Sequence, residues 1–171
     1  MFSTQKHTDS EIVATGPIAP NSAYMDLPVQ ELLRRGNLRV EKCELKEAGQ
    51  FFEVALEKSK LTRDQKNICD SLAHLLRHSS DVGDEAATQR WIGELEIYLA
   101  QTEGKLTPYA WYCKGIVAFR KAQYKKAQVL FHRFWREVEA EENEQTENKL
   151  ALHREHLRAK AQALLALALV A

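Results

Sequence analysis

Apolar residues recur along this chain at helical intervals. Between Leu45 and Lys58 they fall at Ala48, Phe51, Phe52, Ala55 and Leu56, a spacing that gathers them on one side of a helix. The same rhythm starts near Leu27-Pro28, with Leu32, Leu33 and Leu38 as its apolar positions. It resumes after LTRDQ, where Thr62 is expected to cap a helix reaching about His78. SSDVGDE reads as a loop, followed by a helix over roughly 84–101 that TEGKLTP ends. Pro108 suits a first helical turn, with Thr107 as its cap. Ala122-Gln123 is the shortest turn, and a helix follows from Tyr124 to about Ala140. A last helix runs from about Asn148 to the end. No strand-like alternation bounded by turn residues interrupts these runs.

The runs repeat one another. Leu32 opens L-x-x-R-G-x-x-R, followed by A-x-x-x-F-x-x-A at Ala48, Phe52 and Ala55. Trp111 opens W-x-x-K-G-x-x-A, followed by A-x-x-x-F-x-x-F at Ala127, Phe131 and Phe134. Twelve residues separate Gly36 from Ala48, and twelve separate Gly115 from Ala127. The two copies lie 79 residues apart, which leaves room for one more between them. Ile68 to Leu99 fills it in degraded form: Ala73 takes the small position, Ala87 and Trp91 mimic the Ala–Phe pair, and SSDVGDE absorbs two extra residues.

This pattern resembles the tetratricopeptide repeat, a helix–turn–helix unit with Trp, Gly, Ala and Phe at such intervals. The physical basis is close helix packing, small residues letting two backbones approach and an aromatic filling the space they share. The resemblance covers residues 28–140, loosely in the middle copy. It implies an all-α fold, a right-handed superhelical solenoid of about seven antiparallel helices. Residues 1–26 would form a flexible arm, 27–147 three helix pairs and 148–171 a capping helix. The first helix of each pair would line a concave groove.

Carried over by the matched motif, the groove-lining positions are Gln30, Leu33, Asn37 and Val40 in the first copy. They are Asn67, Asp70, His74, Arg77 and His78 in the second, and Tyr109, Tyr112, Ile116, Phe119 and Arg120 in the third. Tyr109, Tyr112, Ile116 and Phe119 share one helix face, while Trp111, Gly115 and Ala118 occupy the face the motif assigns to packing. Such a stripe is either core or a binding surface, and the second reading makes Tyr112 and Phe119 anchors for a partner. Leu33, Asn37, Ser71, Tyr109 and Cys113 occupy the places where some co-chaperones of this family grip a terminal carboxylate, and only Asn37 fits that clamp. An apolar groove favours an extended hydrophobic segment instead.

Composition and charge narrow the function classes. The 171 residues are 44% hydrophobic and 28% charged, with 24 basic residues against 24 acidic ones. Zero net charge gives little steering toward phosphate, so RKAQYKKAQ and HREHLRAK do not make a nucleic-acid surface. Glu137 to Glu147 holds six acids and no base, which reads as a solvated helix end and linker. MFSTQKHTDS lacks a signal-peptide core, and residues 161–171 are too short an apolar run to cross a membrane. Cys43, Cys69 and Cys113 are widely spaced and odd in number, as expected of free thiols in a reducing, cytoplasmic setting.

His74 and His78 stand one turn apart in HLLRH, and His153 and His156 form a similar pair. Leu75 sits where H-E-x-x-H needs its glutamate, so groove or surface histidines are the plainer assignment. No phosphate-cradling loop or G-x-S-x-G occurs. The expectation is therefore a non-catalytic protein-interaction adaptor or chaperone-like module without metal or cofactor, binding a protein or peptide. Alternatives within that class resemble the small three-repeat chaperones of type III secretion translocators, or a module sequestering a transcription or signalling protein. Leu164, Leu165, Leu167, Leu169 and Val170 point around the whole last helix, which predicts a homodimer interface there.

Overall fold

The computed structural model describes residues 22–102 and 104–144, together with 157, 160–162, 164, 165 and 167. The fold is all-α. Among the described residues seven helices follow one another: α1 (Ser22–Met25), α2 (Val29–Glu41), α3 (Leu45–Thr62), α4 (Gln65–Val82), α5 (Glu85–Gln101), α6 (Pro108–Arg120) and α7 (Tyr124–Glu144). No strand occurs among them. The single described positions at 157, 160–162, 164, 165 and 167 are also helical.

Local chemistry sets the helix ends. The Thr107 hydroxyl accepts from the Ala110 N–H at 3.4 Å, and Pro108 fills the first turn of α6, where its missing N–H is no loss. Asp84 accepts from the Ala87 N–H at 2.9 Å and starts α5. The expected cap at Thr62 is corrected: Thr62 closes α3 and donates to the Lys58 carbonyl at 3.1 Å. Asp64 caps α4, accepting from the Asn67 N–H at 3.0 Å.

The expected loop SSDVGDE is corrected as well. α4 continues to Val82 and only Gly83, at φ 77°, breaks it. The α3–α4 turn uses Arg63 at φ 55°, and the turns after α2 and α6 likewise use residues other than glycine in the left-handed region, Cys43 at φ 60° and Ala122 at φ 55°. Cys43 and Ala122 lie 79 residues apart, the offset of the repeat. Gly83 falls 40 residues after Cys43 and 39 before Ala122. Aligned on the turns, the middle pair has Leu76 in the glycine place and Thr88 twelve residues later. In this alignment Ala73 falls three positions, and Ala87 and Trp91 one position each, before the places that Gly36, Ala48 and Phe52 hold in the first pair.

Helices pack in sequence: α2 on α3, α3 on α4, α4 on α5, and α6 on both α4 and α7. The shared offset has a physical counterpart. A Cβ on Gly115 would stand 2.5 Å from Phe131 Cε1, and one on Gly36 would run into the Phe52 ring in the same manner. Each glycine thus seats an aromatic of the following helix, beside the fully buried Ala48 and Ala127. Phe52, Phe131, Phe134, Leu32, Leu72, Leu76 and Leu95 complete one continuous core, each side chain contributing about 1.5–3 kcal/mol through burial.

The arm expected over 1–26 does not extend over residues 22–25, which are helical. Residues 22–25 form α1, whose Tyr24 ring lies 4.7 Å from that of Phe51. Lys58 ties this segment down by donating to the Met25 and Leu27 carbonyls at 2.7 and 2.6 Å. Residues 1–21 lie outside the described set.

Candidate partner-binding face

α2, α4 and α6 each contribute one side to a polar seam. At one end the Gln30 amide donates to Asn67 Oδ1 at 2.7 Å, and Asn67 donates on to Asp64 at 2.8 Å. In the middle, Asn37 Nδ2 meets His74 Nε2 at 3.2 Å, while His74 Nδ1 stands 2.9 Å from the Asp70 carbonyl. A carbonyl only accepts, so Nδ1 carries the proton and Nε2 accepts from the Asn37 amide. The His74 ring is 4.4 Å from that of Tyr109 and 5.1 Å from that of Phe52. Asn37 and Tyr109 are half-buried, and His74 is buried.

The other end is ionic. Asp81 receives Arg77 Nε at 3.3 Å and Arg120 Nη2 at 2.5 Å, and Arg120 Nη1 donates to Ser80 at 3.0 Å. The Arg77 guanidinium also lies 5.8 Å from the centre of the Tyr112 ring, within the range of a cation–π attraction. Next to this group Lys121 pairs with Glu85 at 2.5 Å.

Of the residues predicted from sequence, Asn37, His74, Arg77, Tyr109 and Arg120 come together along this seam. Leu33, Tyr112 and Ile116 do not serve as exposed groove positions, because they are 3%, 1% and 6% accessible. α6 packs against α7 and α4 at once, so more than one of its faces is covered. The Tyr112 ring turns onto Phe134 and Phe131, with centroids 5.6 and 6.3 Å apart. Half-buried Phe119 packs edge-on against Tyr124 at 5.6 Å, across its own hairpin turn. Asp81 and Ser80, which receive the two arginines, lie where the sequence predicts a loop. The signal was the i, i+4 spacing of Arg77 and Asp81, meaningful only once α4 reaches Val82.

Both ring nitrogens of His74 are engaged, by the Asn37 amide and the Asp70 carbonyl. His78 turns toward α3, where its Nε2 would be 2.9 Å from a Cβ on Gly49 and its ring lies 5.8 Å from that of Phe52. Burial holds its pKa below the usual histidine value. Among the described residues no group of three or more His, Cys, Asp or Glu side chains could hold a metal ion. His153 and His156 lie outside the described residues. Cys69 and Cys113 are buried free thiols, and burial pushes Cys113 up to about 12, which removes the thiolate needed for nucleophilic attack at neutral pH.

At the C-terminal helix, Leu157 and Ala161 are buried and Leu164 and Leu165 pack half-buried against the core of their own chain. Leu167, 58% exposed, is therefore the described member of the expected dimer interface most open to a second copy. Leu169 and Val170 lie outside the described residues. No helix among the described residues is long and apolar enough to cross a membrane. No protein-family model, curated protein or solved structure matches the chain.

Proposed function

We infer that this chain is a non-catalytic, tetratricopeptide-like adaptor that holds a segment of a partner protein along the face formed by α2, α4 and α6. One observation carries the reading. Asn37, His74, Arg77, Tyr109 and Arg120, placed on a groove by the repeat motif, meet across three separate helices on a partly exposed seam. Polar side chains with aromatic neighbours on a rigid helical scaffold suit recognition of an extended chain, because the scaffold loses little entropy on binding. The buried Tyr112 backs the seam through its ring contacts with Tyr109 and Arg77.

The test is capture by three immobilised proteins: the native chain, a Tyr109→Ala/Arg120→Ala variant, and a Val129→Glu variant altered at an exposed position on α7. The expected result is one protein retained by the native chain and the Val129 variant and lost from the seam variant. Equal retention by all three, with circular dichroism showing all folded, would refute the seam as the binding face.

A further inference from the structure

The two arginines at the end of the seam share a single carboxylate. Arg77 and Arg120 both turn on Asp81, whereas their neighbour Lys121 has Glu85 as its own partner. Two guanidinium charges against one carboxylate leave an excess of one positive charge in the group. The next acid on this side of α4, Asp70, stands two turns away, about 10 Å along the helix.

Both cations are placed to meet a ligand. The Arg77 side chain is 30% exposed and that of Arg120 is 42% exposed, while Asp81 between them is only 18% exposed. Asp81 and Ser80 thus orient the guanidinium groups from the protein side and leave their outer edges toward solvent. A guanidinium has five N–H donors; Arg77 gives Asp81 its Nε–H and Arg120 gives Ser80 one from Nη1, while Arg120 Nη2 stands against Asp81 as an ion pair. The planar fork of arginine matches a carboxylate in bidentate fashion. Half-buried Phe119 adjoins Arg120 in the chain, and half-buried Tyr109 lies against His74, one turn before Arg77 on α4; both offer apolar surface along the seam.

We propose that the segment held by the seam carries an aspartate or glutamate side chain that docks between Arg77 and Arg120, next to an apolar residue on Tyr109 or Phe119. This rests on the partner-binding reading and names the chemistry of the partner: an acidic-apolar segment within a chain, not a chain terminus. The local excess of positive charge selects it, and a basic segment would meet repulsion from both arginines.

Phage-displayed random dodecapeptides, joined to the coat protein at their C-termini, provide the probe. They are panned on the intact chain and on an Arg77→Gln/Arg120→Gln variant whose thermal melting has been checked. Asp or Glu adjoining an apolar residue should be enriched by the native chain and not by the variant. A synthetic amide of a selected peptide should lose roughly ten- to hundred-fold in affinity on Glu→Gln exchange, as for a charge-assisted hydrogen bond. Enriched peptides without acidic preference, or an acidic preference that the variant retains, would overturn this inference and leave the adaptor reading standing. A free-acid peptide whose Glu→Gln exchange changes nothing would replace the internal acid with a terminal carboxylate. No enrichment over blank resin would count against the adaptor reading itself.

Discussion

Gly115 is the position where the repeat geometry can be tested most sharply. Replacing it with alanine sets two effects against each other. Alanine is favoured over glycine inside a helix by about 1 kcal/mol, so α6 alone would gain. Against this, the new Cβ would lie 2.5 Å from Phe131 Cε1, 2.7 Å from Cδ1 and 3.0 Å from Cζ. Carbon atoms rest at about 3.5–4.0 Å, so the ring must retreat by roughly 1 Å. Phe131 is 2% exposed and its ring lies 6.3 Å from that of Tyr112, which leaves little slack in a close-packed core. Overpacking of this kind costs about 1–3 kcal/mol, so the net effect of Gly115→Ala should range from neutral to about 2 kcal/mol destabilising. Gly93→Ala supplies the control: it lies within α5, and nothing stands within 4 Å of its added Cβ. That variant should gain about 1 kcal/mol, and the gap between the two isolates the clash at about 1–3 kcal/mol. Urea denaturation followed by circular dichroism measures both. For a chain of this size about 2–4 °C of melting temperature accompanies each kcal/mol. Adding Phe131→Leu to Gly115→Ala should recover part of the loss, as coupling between touching residues requires. If Gly115→Ala stabilises as much as Gly93→Ala, the glycine–aromatic contact does not govern the packing of this helix pair.

Tyr112→Ala should cost about 3–5 kcal/mol of fold stability, as a buried aromatic does, whereas Arg120→Ala at the exposed rim should change it by less than about 1 kcal/mol; thermal melting separates them. His78 is held below its ordinary pKa by burial, so the folded chain resists a proton that the unfolded chain accepts. The stability advantage of the native chain over His78→Gln should therefore be full above pH ~6.5 and decline as pH falls from there toward the folded-state pKa; an advantage that grows on acidification would contradict the buried placement. Asp64→Ala and Asp84→Ala should each cost about 1 kcal/mol by removing a helix cap, with Thr62→Ala milder, a ranking that chemical denaturation of the three variants checks.

Much of the fold was legible because its causes are local. The spacing of Ala48, Phe52 and Ala55 marks a buried helix face wherever it occurs, and Thr107-Pro108 starts a helix by satisfying nearby N–H groups. The offset joining Gly36 with Gly115 also stands in the sequence, and the structure gives it a cause in the Phe52 and Phe131 rings. Other features needed the assembled helices. Cys43 and Ala122 carry no intrinsic preference for the left-handed conformation, so their identity does not mark the turns, which local backbone bonds from Glu44 N–H to the Arg39 carbonyl and from Gln123 N–H to the Ala118 carbonyl close. Asp64 and Thr62 are both good caps by residue type; Asp64 caps α4 because α3 runs on through Thr62, whose hydroxyl donates back to the Lys58 carbonyl. The Tyr109–Phe119 stripe shows the same division. Helical periodicity places the four residues on one side of α6, but two neighbouring helices decide what is covered. α7 closes over Tyr112 through Phe131 and Phe134, while α4 brings His74 to Tyr109 and Arg77 to the rim, leaving the two ends of the stripe, Tyr109 and Phe119, half-buried.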